Sequence, residues 1–279
     1  MKEEIKPVLI NLADYEEVGE GANGISLNHK TDPTVLLKLY TRGSIQQPLD
    51  EWLLSKQVYE AGIPTPEPGE FVTDGTRYGI RFRRIVGKKS FARAVGEEPE
   101  KVGEYAKEFA GMCLQLHATH LDTTLFDSVK NRYNNLLKKN PFFTPHEKSR
   151  IAEFIASVPD TDTAIHGDLQ FGNAIFVGEK RYFIDLGDFC YGHPYFDLGM
   201  VYLCCKMNDA DWTREVFHME PETAVAFWEA FVPAYFGPEA SPEEIERMIL
   251  PYAGLKTLIV ERDTNRPMPE FRAALKEIL

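Results

Sequence analysis

The residues best suited to chemistry are concentrated in one stretch: His166-Gly167-Asp168-Leu169-Gln170-Phe171-Gly172-Asn173, then Asp185 within Phe183-Ile184-Asp185-Leu186-Gly187. Two apolar runs, Ala174–Val177 and Tyr182–Ile184, flank Gly178-Glu179-Lys180-Arg181 and predict a tight hairpin. Such a hairpin brings Asn173, just before its first strand, towards Asp185, just after its second. Two oxygen ligands presented in this way suit magnesium, a hard cation usually shared between a few protein groups and substrate phosphates. Asp168 then sits on the preceding loop, within reach of a hydroxyl proton beside a phosphate in transfer.

These groups need elements to hold them. The first third of the chain reads as strand-rich, and Glu17–Leu27 contains a GxGxxG formed by Gly19, Gly21 and Gly24. A dinucleotide-binding fold requires a helix directly after such glycines. Here the next regular segment, Thr34–Tyr40, reads as a strand, and a glycine loop between two strands fits a flap over nucleotide phosphates. Lys38 lies in that apolar run, where an ammonium is costly to bury unless it meets an anion. It reads either as a phosphate ligand or as a lysine on the exposed face of the strand. A helix is expected over Leu49–Ala61, ending at Gly62 and the proline-rich Ile63–Pro68. Glu51 on its first turn could pair with Lys38, with Asp50 as competitor. Strands are expected at Phe71–Val72 and Tyr78–Phe82, and a hinge at Val86–Lys89.

Beyond Glu100 the apolar pattern turns helical: Val102, Tyr105, Ala106, Phe109, Ala110, Cys113, Leu114 and Leu116 recur at three- and four-residue spacing. His117 on this stripe reads as a hydrogen-bonded core histidine. Further helices are expected near Glu147–Ser157, Phe196–Lys206, Pro221–Phe236 and Pro242–Glu261. The expected fold class is α+β and bilobal, with a small antiparallel-sheet lobe over 1–86 and a larger, mainly helical lobe over 87–279.

Composition excludes several functions. The 279 residues carry a net charge of −12, which opposes general affinity for nucleic acid or anionic membranes. The most apolar segment, Met248–Val260, is too short to span a bilayer and is interrupted by Pro251 and Lys256. The N-terminus, Met1-Lys2-Glu3-Glu4, lacks the apolar run of a signal peptide. Cys113, Cys190, Cys204 and Cys205 form no CxxC pair and read as buried, reduced thiols, so a cytoplasmic location is expected.

With the glycine loop, Lys38, Glu51, the His166–Asn173 block, Asp185 and the later Gly192-His193-Pro194-Tyr195-Phe196-Asp197-Leu198 in this order, nearly the whole chain resembles the aminoglycoside phosphotransferase and choline-kinase-like family, relatives of protein kinases. The resemblance implies a protein-kinase-like fold using ATP (or GTP) and Mg2+. It implies that Asp168 orients the acceptor hydroxyl, and that Asn173 and Asp185 hold magnesium. Lys38 would contact the phosphates with Glu51 holding it, and the backbone at Gly19, Gly21, Asn23 and Gly24 would cover them. His166 and Asp197 would hold the catalytic loop. Two positions depart from the family pattern: His193 stands where an aspartate is common before the proline, and Phe171 where a proline is common before Gly172.

A protein kinase is the nearest rival reading, since Asp185-Leu186-Gly187 resembles its magnesium-binding element. Gly167 opposes it by replacing the arginine that reads a phosphorylated activation loop, and Gln170 opposes it by replacing a lysine. A non-catalytic nucleotide-binding module is opposed by the presence of Lys38, Asp168, Asn173 and Asp185 together. The partner expected is therefore a small-molecule hydroxyl substrate, taken by a monomer or weak homodimer. His193, Tyr195, Asp209 and Trp212 are the candidate acceptor residues. Acids with aromatics favour an amino alcohol or choline-like compound first, and an aminoglycoside or other sugar second. The aromatics at helical spacing, Phe227, Trp228, Phe231 and Tyr235, also read as core.

Overall fold

Period-two alternation in Val35–Tyr40 buries Leu37 and Leu39 on one face of a strand and turns Lys38 to the other. This strand is β4 of a six-stranded sheet made of β1 (Val8–Leu9), β2 (Tyr15–Gly21), β3 (Gly24–His29), β4 (Val35–Tyr40), β5 (Pro68–Thr73) and β6 (Tyr78–Arg83). Its spatial order is β1-β5-β6-β4-β3-β2. All neighbours are antiparallel except the edge pair β1–β5, which is parallel. Leu37 and Leu39 join Ile10, Tyr15, Leu27 and Val72 in a core cluster. The computed structural model describes residues 5–21, 24–41, 44–276 and 278–279.

The chain divides into two compact units, Met1–Lys88 with Ile175–Gly187, and Lys89–Ala174 with Asp188–Leu279. The sequence expectation cut the chain once, at 86/87. The hairpin β9 (Ala174–Val177) and β10 (Lys180–Phe183), expected within the helical lobe, instead falls largely in the first unit, where Phe183 N donates to Pro64 O at 2.7 Å.

In the first unit α1 runs Gln46–Glu60, three residues earlier than expected, so Glu51 lies on its second turn. Pro48 is tolerated there because first-turn N–H groups have no intrahelical acceptor. The helix ends in a Schellman motif. Gly62 is left-handed (φ 81°), Gly62 N donates to Tyr59 O at 3.0 Å, and Ile63 N donates to Val58 O at 3.3 Å. Val58 and Ile63, the positions that carry the apolar pair of this motif, are both buried.

The second unit opens with the short strand β7 (Lys89–Ser90). Its helices are α2 (Phe91–Glu97), α3 (Val102–His117), α4 (Val129–Lys139), α5 (Pro145–Ser157), α6 (Tyr195–Tyr202), α7 (Ala210–Phe217), α8 (Pro221–Phe236), α9 (Pro242–Leu255), α10 (Thr257–Thr264) and α11 (Pro269–Arg272). Two-residue strands β8 (Ala164–Ile165) and β11 (Cys190–Tyr191) pair antiparallel. Two expected helices are interrupted. Tyr195–Tyr202 continues as a π-helical turn over Leu203–Met207. The expected helix 242–261 breaks at Lys256, whose N–H bonds only three residues back, to Ala253 O at 3.0 Å. Phe227, Trp228 and Phe231 are fully buried, so the core reading of that stripe holds. Among the described residues no helix is long and apolar enough to cross a membrane.

A buried acid fastens the C-terminal segment. Glu261 is 1% exposed and accepts from Arg272 Nε (2.6 Å) and Nη2 (2.9 Å), Asn140 Nδ2 (2.7 Å) and Met268 N (2.9 Å). Arg272 also stacks on Phe143, 3.9 Å from its ring centre. Burial pushes the Glu261 carboxyl up, but these donors outweigh it and hold it below the usual glutamate range. Because the folded pKa is depressed, the contribution is present above the unfolded pKa and is lost as pH falls through the folded value. Glu261→Gln should lower unfolding free energy by about 3 kcal/mol in urea titration at pH 7, by leaving a partly buried guanidinium without its counter-charge. The difference from wild type should shrink in acid.

Candidate active site

In the first unit three charged groups meet. Period two places Lys38 on the α1 side of β4, and its Nζ donates to Glu51 Oε1 at 2.7 Å and Asp185 Oδ1 at 2.9 Å. Burial pulls the Lys38 pKa down, but the two carboxylates, Asp185 before Glu51, overcome it, so the ammonium stays charged. The Tyr40 hydroxyl beside them is pushed up by burial and by Glu51. Asp185 follows β10 in a left-handed conformation (φ 59°), a strained choice for a residue with a Cβ that aspartate tolerates better than most. Lys38 is partly buried and paired with carboxylates instead of lying on an exposed strand face, and Glu51 rather than Asp50 is the α1 acid it meets. Asp50 instead accepts from Gln46 Nε2 at 2.6 Å.

The glycine segment forms the end of the β2–β3 hairpin. Gly21 pairs with Gly24, and the register shifts between Glu17 and Gly19. A Cβ on Gly24 would lie 2.3 Å from Leu39 O, so close strand packing alone demands glycine there. Gly19 has open space around it. Asn23 lies outside the described residues.

In the second unit the His166–Asn173 loop hangs from one buried acid. Asp197, in the first turn of α6 and fully buried, accepts His166 N on Oδ2 (2.7 Å) and Gly167 N on Oδ1 (2.8 Å). His117 Nε2 sits 3.2 Å from the same Oδ2, and His117 Nδ1 is 2.7 Å from Tyr235 Oη, which makes His117 the hydrogen-bonded core histidine its position in the stripe suggests. Burial pushes the Asp197 carboxyl up, but His117, then His166 and Lys256, bring it below the usual range, so it stays ionised. Gly167 is left-handed (φ 85°), and a Cβ there would come within 2.2 Å of Asp188 O. No other residue fits.

The turn continues through Asp168 N to His166 Nδ1 (3.3 Å), Gln170 N to Asp168 O (2.9 Å) and Asn173 N to Gln170 O (3.0 Å). Two amides orient the Asp168 carboxylate: Gln170 Nε2 at 3.1 Å and Asn173 Nδ2 at 2.9 Å both donate to Oδ2. With its nitrogen so engaged, Asn173 is left with Oδ1 as a hard oxygen donor, the chemistry magnesium requires. Among the described residues no three His, Cys, Asp or Glu side chains are grouped as a metal site. A cation held here would therefore complete its shell with substrate phosphates or water.

Phe171, in the position where the family often has proline, is fully buried against Phe109, Phe217 and Phe227 at ring-centre distances of 5.7, 5.2 and 4.6 Å. The loop is thereby anchored by an aromatic core instead of a stiff imide. The acceptor candidates fall into two pairs. His193 and Tyr195 meet edge to face at 4.5 Å, beside Tyr252 and Phe236. Asp209 caps α7 by accepting from Trp212 N at 2.8 Å, and Trp212 packs edge-on against Phe217. Sequence reading missed α4 and α7, although Val129, Tyr133 and Leu137 recur at four-residue spacing and Asp209 stands three residues before Trp212 as a cap should. It also passed over Lys256 as a mere interruption of an apolar run.

A profile of the phosphotransferase enzyme family, APH, matches residues 15–239. The chain belongs to that family. Comparison of the sequence with curated proteins found no match. Among solved structures, a choline/ethanolamine kinase family protein from Mesorhizobium loti is similar at 18% identity, over 95% of this chain and 85% of that one, with a TM-score of 0.55. A thermostable mutant of aminoglycoside phosphotransferase APH(4)-Ia is similar at 13% identity, over 95% and 94%, with a TM-score of 0.62. The ternary complex of APH(2'')-IIa with streptomycin and ATP gives 19%, 88% and 84%, and 0.57. At these identities the likeness is one of fold, and the fold is α+β and protein-kinase-like.

If Asp197 suspends the loop, Asp197→Ala should release the amides of His166 and Gly167. Their hydrogen exchange, followed by mass spectrometry or NMR, should accelerate at least tenfold relative to the sheet amides of β3 and β4.

Proposed function

We propose that this phosphotransferase moves the terminal phosphate of ATP (or GTP) to a hydroxyl group of a small metabolite. The observation that carries the reading is the Asp168 carboxylate, oriented by Gln170 and Asn173 on a loop suspended from buried Asp197. Phosphoryl transfer has a loose transition state, so the protein contributes mainly positioning and charge neutralisation. Asp168 aligns the acceptor hydroxyl and takes its proton as the new P–O bond forms. Lys38, held by Glu51, contacts the nucleotide phosphates, and the backbone of Gly19, Gly21 and Gly24 covers them. Asn173 and Asp185 would hold magnesium, which when bound would neutralise charge on the phosphates. Asp185 is also paired with Lys38.

For the acceptor, an amino alcohol or choline-like compound ranks first and an aminoglycoside or other sugar second. The aromatic residues of the chain support that order. Tyr195 lies among His193, Tyr252 and Phe236, and such aromatic faces attract a cationic head group. Proteins of similar fold include a choline/ethanolamine kinase family member and an aminoglycoside phosphotransferase solved with ADP and hygromycin B.

Nucleotide consumption measured across amino alcohols, sugars and aminoglycosides should rise with one class. Asp168→Asn should lower that acceptor-dependent turnover at least a hundredfold, with nucleotide affinity within about threefold of wild type. Near-normal turnover in this variant would overturn the role of Asp168.

A further inference from the structure

Lys256 stands outside both the matched family segment and the mechanism described above. It occupies the break between α9 and α10, and it is a lysine only 1% exposed. An ammonium so deeply buried is retained only where anions and acceptors offset its desolvation. Its Nζ donates to the carbonyl oxygen of Gly167 at 2.9 Å and lies 5.6 Å from the centre of the Tyr133 ring. Burial pulls its pKa down, but Tyr133, then Asp197 and Asp168, raise it overall, so the side chain is a cation.

The Gly167 peptide groups are thus gripped from both directions. The amide of Gly167 donates to Asp197, and its carbonyl accepts from Lys256. Asp168 begins at that carbonyl carbon. Between these two contacts Gly167 takes its left-handed φ. We propose that Lys256 is a positioning residue for phosphoryl transfer, a buried cation that fixes the Gly167–Asp168 peptide and so aims the Asp168 carboxylate. The inference rests on the reading of Asp168 as the group that aligns the acceptor.

A merely structural lysine and a positioning lysine predict different outcomes. Removing one partner of a buried charge network lowers stability whatever its role and leaves the kinetics of a folded enzyme unchanged if that role is structural alone, whereas a displacement of about 1 Å at a reacting group can cost on the order of a hundredfold in rate. The full-length protein is therefore compared with Lys256→Met, Lys256→Gln, Lys256→Arg and Asp168→Asn. ADP formation from MgATP is followed with the fastest panel acceptor, or with water as acceptor where none exceeds it. Assayed below its Tm, Lys256→Met should lower kcat at least tenfold, leave KM for MgATP within twofold, and accelerate amide exchange across residues 166–168. Lys256→Arg, which restores a cationic donor, should recover part of kcat. If Lys256→Met does not fold, Lys256→Gln is judged by the same kinetic and exchange criteria. Wild-type kcat and exchange in Lys256→Met, with turnover lost in Asp168→Asn, would refute the positioning role alone. Full turnover in Asp168→Asn would refute the functional reading, and loop exchange in the Lys256 variants would still decide whether the cation holds the turn.

Discussion

One ionised carboxylate, removed completely from solvent, organises the second unit around the candidate chemistry. Asp197 takes two successive loop amides, one on each oxygen, and receives His117 on the same side as the His166 amide. A buried anion would be prohibitive without these donors, and loop amides without an acceptor would carry their own penalty. Each side makes the other tolerable, so the arrangement is cooperative: loss of any member leaves the rest poorly satisfied. Asp197 also lies in the first turn of α6, where the helix dipole favours negative charge. Tyr235 on α8, through His117 on α3, extends the network into the helical core.

The first unit solves a different electrostatic problem. Lys38 is placed by strand alternation, a rule legible from six residues, and Glu51 reaches it from the second turn of α1. The glycines of the β2–β3 hairpin illustrate how one residue type can serve two demands. Gly24 must be glycine because of Leu39 O, whatever lies over the hairpin, so its presence in a motif is weaker testimony to phosphate binding than its spacing suggests.

How much could be read beforehand follows from the range of each interaction. β4, the end of α1 and the stripe of α3 are governed by local periodicity and turn chemistry and appear within about a residue of where pattern places them, whereas the second hairpin strand starts two residues before the expected Tyr182. The roles of Gly167 and Phe171 were open, because one depends on Asp188 and the other on rings from α3, α7 and α8. Lys256 is 89 residues from the carbonyl it binds, and Glu261 is 121 from Asn140. No periodicity encodes such partners. Charged residues inside apolar runs were the available clue, and Leu255-Lys256-Thr257-Leu258 and Ile259-Val260-Glu261 both carried it.

The crowding at Gly167 also limits what this chain can become. In protein kinases the residue before the catalytic aspartate is an arginine, through which phosphorylation elsewhere is sensed. Here the Asp188 carbonyl occupies the place of the first side-chain atom, and the backbone is left-handed besides. No single codon change can install that sensor, since any side chain would first have to push aside the segment that follows Gly187. A phosphate-reading arginine at this position is therefore closed to this chain by sterics.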